Sequence, residues 1–336
     1  MKTQEIYNKA WFSLGFSKEL KKGKLLQKIL LETPIVLWRD EKGKAHAFLD
    51  RCPHRHMPLS TGRVKKGSLR CRYHGWAFNN TGSLIEVPGL EKGKGPSCTL
   101  KKFEIFEKEQ FLWVYGDPSE KPPYGPPNLL PKNKMFRLNT KYNFEGGLFD
   151  VLENFLDPTH THFVHKTLLR LSKTRKRIST KILHHEDGVQ AVYFDEGEEA
   201  NIFAKTFGKK IDKTSGRFRS PNIVVLDYLE GEKLKARIIL HFTPKTSEKV
   251  EMGGSLLVKG HKFLFFPIMP FLKLMLKKLL KEDRLIIQEK YSHEKLFPTK
   301  DIYKSTEADL LGPTIKKWLL KGPRPTIKEK QREIWL

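Results

Sequence analysis

The sequence predicts an α+β protein in three parts. A small all-β domain spans residues 1–117, a proline-rich linker spans 118–134, and an α+β domain spans 135–336, its antiparallel sheet covered by helices. Three observations predict this. Up to about residue 117, short runs of β-branched and aromatic residues are broken by polar turns. Six prolines then fall within residues 117–134. Beyond them, helix-like spacing at 148–170 and 271–296 brackets strand-like runs between 188 and 260.

Each element has its own reason. TPIVLWRDEKGKAHAFL (33–49) reads as two strands around a turn at Asp40–Lys44, and FEIFEKEQFLWVYGD (103–117) repeats that design. Between them SLRCRYHGWAFNNTGSLIEV is strand-like, with a tight NNTG turn at 79–82. Proline fixes φ and removes a donor, so 118–134 is a linker or an extended strap. GVQAVYF, NIVVLDYL and ARIILHF are the strand-like runs of the second domain.

Composition sets the outer limits. Hydrophobic residues at 38% are enough for a core, which excludes a wholly disordered chain. Three cysteines exclude a disulfide scaffold and suit a reducing compartment. The longest apolar run, FLFFPIMPFLKLML (263–276), holds two prolines and one lysine and is too short to span a bilayer. MKTQEIYNKAWF lacks the apolar segment of a signal peptide. The expected location is therefore the cytoplasm. Lys+Arg 63 against Asp+Glu 38 gives +25, a charge that attracts polyanions. The lysines are spread along the chain with no zinc-finger or RNP-type motif, so nucleic acid is not the expected partner.

Two segments carry most of the chemistry: Cys52-Pro-His54 and Cys71-Arg-Tyr-His74. Each supplies one thiolate and one imidazole, and sixteen residues separate His54 from Cys71. Four such ligands suit zinc, or a [2Fe–2S] cluster with two Cys on one iron and two His on the other. Zinc patterns usually group Cys with Cys and His with His. Replacing two thiolates by neutral imidazoles raises the cluster potential to roughly −150 to +300 mV. Cys98 has no partner motif and is expected to be a buried structural thiol.

ENFLDPTHTHFVH (153–165) is the second constellation, with three histidines and two acids in thirteen residues. Two His and one carboxylate on one face make a mononuclear non-haem Fe(II) site with positions open for O₂. Spacing leaves the pair open. His162 and His165 share a helical face most easily, whereas His160 and His165 need a helix end or a distortion. Pro158 breaks a continuous helix here, or starts one with Asp157 as its cap.

CPHRHMPLS…CRYHGW closely resembles the Rieske cluster motif of ring-hydroxylating oxygenases, Cys-x-His followed by Cys-x-x-His. The family often has glycine where this chain has His56, which is read as a surface residue or one lying just behind the ligands, and not a fifth ligand. The oxygenase motif Asn-x-x-Asp-x-x-His-x-x-x-x-His maps onto Asn154, Asp157, His160 and His165. By that resemblance His160 and His165 are iron ligands and His162 is not. LLKEDRLIIQEKYSHE (279–294) looks like the family's late helix and maps the third ligand onto Asp283. Glu282 is adjacent but about 100° away on a helix. Glu289 and Asp301 are weaker competitors.

The resemblance also implies how the parts work together. Subunits form a head-to-tail ring, most simply a homotrimer, in which the cluster of one chain faces the iron of the next. Asp157 bridges His74 of one subunit and His160 of its neighbour as an electron relay, and Asn154 supports the iron site from outside the ligand set. Each subunit then holds one [2Fe–2S] cluster and one Fe(II), with O₂ as co-substrate. The chain has neither a GxGxxG fingerprint nor a plant-type second cluster motif. NAD(P)H therefore enters only through a separate reductase or ferredoxin, and a basic surface speeds the encounter with an acidic donor.

The chain length and the D-P-x-H variant look more like the family's single-subunit monooxygenases. The implied reaction is hydroxylation or oxidative demethylation of a small, hydrophobic molecule. Aromatic cis-dihydroxylation is the alternative within the family, and a Rieske electron-transfer or redox-sensing protein is the alternative outside it. KLMLKKLLK (273–281) places Lys273, Lys277 and Lys281 on one helical face, with Leu, Met and Phe on the other. It reads first as an amphipathic core helix and second as a peripheral membrane contact.

Overall fold

In the computed structural model, which describes residues 8–91, 94–166, 175–194, 211–260, 267–297, 304–322 and 329–336, the chain divides into two units, Met1–Leu130 and Pro131–Leu336.

The first unit is built from β1 (Trp11–Phe16), β2 (Leu25–Leu30), β3 (Thr33–Arg39), β4 (Ala45–Leu49), β5 (Arg63–Lys65), β6 (Ser68–Arg70), β7 (Ala77–Phe78), β8 (Leu84–Glu86), β9 (Lys102–Phe103), β10 (Ile105–Lys108) and β11 (Phe111–Tyr115). They form three antiparallel sheets, in the orders β1-β11-β10, β2-β3-β4-β9 and β5-β6-β7-β8. Turn chemistry fixes the registers. Asp40 Oδ1 accepts from Lys44 N at 2.9 Å, and Asp40 Oδ2 lies 2.8 Å from His46 Nε2, so one buried carboxylate staples the β3–β4 turn. In the NNTG turn Asn79 Oδ1 accepts from Thr81 N and Ser83 N at 3.0 and 2.9 Å. Gly82 follows at φ +91°, where a Cβ would lie 2.9 Å from Phe48 Cε1.

Two cores result. One gathers Phe12, Leu14, Leu37, Ala47, Leu112 and Val114. The other gathers Val36, Trp38, Phe48, Leu69 and Phe78 around Cys52 and Cys71. The proline-rich stretch is a strap on this unit. Tyr124 O accepts from Trp11 Nε1 at 2.7 Å, Pro126 O accepts from Lys108 Nζ at 2.6 Å, and Leu129 N donates to Glu109 Oε1 at 2.9 Å.

The second unit contains β12 (Phe136–Glu145), α1 (Leu148–Leu156), α2 (Thr161–Val164), β13 (Arg177–His185), β14 (Gly188–Phe194), β15 (Lys213–Arg219), β16 (Ile223–Glu230), β17 (Lys233–Thr246), β18 (Lys249–Val258), α3 (Met269–Glu294), α4 (Gly312–Lys321) and β19 (Glu329–Trp335). One antiparallel sheet of eight strands runs β12-β18-β17-β16-β15-β14-β13-β19. Helix α1 starts where Gly147 N donates to Asp150 Oδ2 at 3.2 Å, and it buries Val151, Leu152 and Leu156. It stops at Asp157 because the residue before a proline disfavours helical backbone. The helix-like stretch expected over 148–170 is therefore two helices with a break before His160; residues 167–170 lie outside the described residues.

Helix α3 packs Leu272, Met275 and Leu279 on Leu138, Ala236, Leu256 and Val258 of the sheet. The apolar residues of 271–281 do not all face inward, as the sequence pattern suggested. Phe271 and Leu274 are exposed beside Lys273 and Lys277. The start of the apolar run, 263–266, lies outside the described residues.

Candidate metal centres

The loops after β4 and after β6 have the same backbone construction. Cys52 N donates to Met57 O and Cys71 N to Trp76 O, both at 2.9 Å. His56 N donates to Cys52 O at 2.9 Å and Gly75 N to Cys71 O at 3.1 Å. The matching positions His56 and Gly75 both take left-handed backbone, at φ +57° and +72°. A glycine accepts that conformation without strain, whereas a residue with a Cβ does so at a cost of about 1 kcal/mol. His56 stands in the glycine-favoured position of the Rieske-type motif, with Arg51 Nη2 2.7 Å from its Nε2.

These paired loops bring all four candidate cluster ligands together. Cys52 and Cys71 are buried and their thiols are hydrogen-bonded. The rings of His54 and His74 lie 4.6 Å apart. His54 stacks on Trp76 at 4.7 Å with an interplanar angle of 2°, and Tyr73 lies 3.8 Å from His74. Burial, and then the neighbouring Cys71, push the Cys52 thiol up to about 11 against the backbone N–H groups of His54 and Arg55. Burial, then the nearby His74 and Arg55, hold His54 below the ordinary imidazole value and so neutral. His54 Nδ1 is buried and has no hydrogen-bond partner among the described residues. Two adjacent thiols, two adjacent imidazoles and a buried unpartnered ring nitrogen fit a cluster with a Cys pair on one iron and a His pair on the other. Cys98 is half-buried instead of buried and packs against the core that holds Cys52 and Cys71, outside the two paired loops.

In the second unit His160 ends the Pro158 turn, His165 follows α2, and Asp283 lies on the buried side of α3. One ligand atom from each falls within 4.8 Å of the others. Asp283 Oδ1 lies 3.0 Å from His165 Nε2 and 3.5 Å from His160 Nε2. Asn154 Nδ2 donates to the same oxygen at 2.9 Å. His165 and Asp283 are 2% and 5% exposed, so water competes little for their lone pairs. Burial raises the Asp283 pKa, but hydrogen bonds from His160 and His165 outweigh it and bring it down to about 2. The carboxylate is thus charged at any working pH. Two imidazoles and one carboxylate converging from two segments fit the facial arrangement that Fe(II) requires.

His162 does not join this group, and neither does Glu289, which is exposed on α3. Asp301 lies outside the described residues. Asp157 is near the site, but its carboxylate Oδ1 accepts from Thr159 N and Oγ1 at 2.7 and 2.6 Å. Glu282, set aside as an iron ligand, does not join the three, but its Oε2 lies 2.8 Å from His165 Nδ1, a contact the sequence did not reveal.

A cavity of about 200 Å³ reaches His160, His165 and Asp283. Phe155, Tyr193, Leu226, Leu240 and Met252 are among the residues that make its wall largely apolar, and Leu276, Leu279 and Leu280 add the inner side of α3. Asp227 also lines it, with both carboxylate oxygens taken by Arg237 at 2.6 and 2.8 Å.

Residues 10–104 match the model of the Rieske [2Fe-2S] domain, and residues 150–321 match that of the vanillate O-demethylase oxygenase C-terminal domain. The chain is 31% identical over 165 residues to the iron-sulfur subunit of the toluene-4-sulfonate monooxygenase system of Comamonas testosteroni, covering 47% of this chain and 46% of that one. It is 27% identical over 206 residues to the oxygenase component of dicamba O-demethylase from Stenotrophomonas maltophilia, covering 59% of each. The chain thus spans about half the length of the curated relatives it matches. A crystal structure of dicamba monooxygenase bound to dicamba superposes with a TM-score of 0.81 over 94% of this chain and 97% of the other, at 21% identity, which shows a shared fold.

Proposed function

The chain belongs to the Rieske oxygenase family with a vanillate O-demethylase-type C-terminal domain, and from that premise we propose that it is the terminal oxygenase of a multicomponent monooxygenase acting on a small hydrophobic molecule. The observation that carries this reading is the convergence of His160, His165 and Asp283 on the wall of a largely apolar cavity. An electron carrier or redox sensor needs neither the second metal site nor the cavity.

Cys52, His54, Cys71 and His74 are the proposed cluster ligands, and His160, His165 and Asp283 the proposed iron ligands. Held by these residues, a [2Fe–2S] cluster would supply single electrons and a ferrous ion would supply the O₂ chemistry. The protein supplies the surroundings. The cavity wall excludes water and holds an apolar substrate by burial. Asp283, His160 and His165 would hold the iron on the cavity wall, three protein ligands that would leave room for O₂ beside the substrate. Asn154 fixes the Asp283 carboxylate through its amide. Hydroxylation consumes one O₂, two electrons and two protons and releases one water, so the electrons come from a separate NAD(P)H-linked reductase or ferredoxin. Relatives named as an O-demethylase component and a monooxygenase subunit support monooxygenation over cis-dihydroxylation.

The assembly proposed is a homotrimer in which the cluster of one chain serves the iron of its neighbour through Asp157. Among the described residues no helix is long and apolar enough to cross a membrane. The outer side of α3 nonetheless carries exposed Phe271 and Leu274 among Lys273, Lys277, Lys278 and Lys281. That face supports a peripheral contact of a cytoplasmic protein with anionic lipid, on the helix whose inner side lines the cavity.

The test is iron content and turnover. An oxygenase holds about three irons per chain and an electron carrier about two. Reductant-coupled O₂ uptake without peroxide release, over a panel of neutral aromatic and methoxylated compounds, identifies the substrate class. An iron count of two that stays at two in Asp283→Ala rejects the oxygenase reading.

A further inference from the structure

We propose that Glu282 is a positioning residue for His165, holding one imidazole tautomer so that Nε2 presents its lone pair to the metal. The proposal rests on His160, His165 and Asp283 being the iron site.

A neutral imidazole carries one proton, and only the other nitrogen ligates. In His165, Nδ1 lies 2.8 Å from Glu282 Oε2 and Nε2 lies 3.0 Å from Asp283 Oδ1. The ring is 2% exposed, so the two carboxylates of consecutive α3 residues are its polar surroundings in place of water. With Asp283 and Nε2 both assigned to a metal, the ring proton belongs on Nδ1, and Glu282 accepts it. The competing partner of Glu282 is weak: Lys278 Nζ lies 4.0 Å from Oε1, on a lysine that is more than half exposed.

His160 solves the same problem differently. Its Nδ1 is 2.6 Å from the backbone carbonyl of Asp157. A carbonyl can only accept, so the proton again sits on Nδ1 and Nε2 again turns toward Asp283. One ligand is therefore oriented by the backbone, which no substitution removes, and the other by a side chain.

The test is metal binding, measured without turnover. Protein with its cluster intact and its mononuclear site stripped is dialysed anaerobically against Co(II), and bound cobalt is counted for wild type, Glu282→Ala, Glu282→Gln, Asp283→Ala and Glu289→Ala. Glu282→Ala is expected to weaken Co(II) binding by about 10- to 100-fold. Glu282→Gln, which keeps a hydrogen-bond acceptor without the charge, is expected to fall between it and wild type. Glu289→Ala is expected to match wild type, and Asp283→Ala to abolish the site. Cluster absorption and melting temperature report the fold independently. If the alanine variant folds poorly, the glutamine variant decides. Affinity of both Glu282 variants within twofold of wild type, with Asp283→Ala still abolishing binding, overturns the role of Glu282. Wild-type binding that ignores Asp283→Ala overturns the iron-site reading itself.

Discussion

The Nδ1 of His160 lies 2.6 Å from the backbone carbonyl of Asp157 and 3.9 Å from that residue's carboxylate Oδ2. The ring is therefore oriented by the main chain, and the side chain of Asp157 is engaged elsewhere. Its Oδ1 takes both bonds from Thr159, which leaves Oδ2 as the oxygen a second imidazole would reach.

That division of labour gives Asp157→Asn a specific expected result. The amide oxygen still accepts from Thr159, and the carbonyl still holds His160, so fold and iron content should stay at wild-type level. Losing the charge should remove the proposed relay between the cluster of one chain and the iron of the next, slowing single-turnover reoxidation of the reduced cluster by about 10- to 100-fold, the scale of a lost outer hydrogen bond at a metal ligand. Stopped-flow reoxidation with O₂ and substrate, with product analysis, checks it. Unchanged rate and yield would leave Asp157 as a turn cap only.

At the cluster site, Cys71→Ala should yield protein without cluster colour, because the remaining three ligands cannot replace a thiolate. Cys98→Ala should keep it, since Cys98 is half-buried against the same core but outside the paired loops. Visible absorption and iron content after identical reconstitution separate the two. A coloured Cys71→Ala protein at full iron content would remove Cys71 from the ligand set.

Local signals were legible where one residue type does one physical job. Asp40 and Gly43 marked a turn, Asn79 and Gly82 marked another, and paired Cys and His at fixed offsets marked the two loops. Long-range relations were less legible. Spacing favoured His162 with His165, and only the Pro158 break, which ends α1 and turns the chain, carries His160 back beside His165 at a ring distance of 5.3 Å. The helical angle rightly keeps Glu282 out of the ligand set but is silent on its contact with His165. Periodicity places the Cβ of a residue but not the end of a three-carbon side chain drawn to a buried ring. Periodicity puts Leu, Met and Phe of α3 on one face but cannot say which of them the sheet has room to cover, and Phe271 and Leu274 stay exposed.

For the iron site, His160→Ala and Asp283→Ala should each lower iron by about one per chain with the cluster spectrum unchanged, whereas His162→Ala should leave all about three irons in place. Metal analysis beside cluster absorption gives both numbers. The reverse outcome, iron lost in His162→Ala and kept in His160→Ala, would mean that the helical spacing and not the Pro158 turn selects the ligand.

Buried His241 should set part of the acid limb of stability in the second unit. It lies on β17 opposite Ile223 and Gly253 and is 1% exposed. Burial first, and then the nearby Arg137 charge, pushes its pKa from 6.5 down to about 3. Above pH 6.5 folded and unfolded chains both hold a neutral ring, and this residue adds no pH dependence. As pH falls below 6.5 the unfolded chain takes up a proton that the folded chain refuses, so stability is lost until about pH 3. The slope approaches about 1.4 kcal/mol per pH unit, which between pH 7.5 and 5 amounts to roughly 2 kcal/mol. His241→Gln keeps a polar side chain of similar length that does not titrate. Urea unfolding followed by circular dichroism should then show a smaller loss of midpoint between pH 7.5 and 5 in the variant than in wild type. Cluster absorption reports the first unit separately, so the transition it does not follow belongs to the second. An equal loss in both proteins would show that another group governs the acid limb.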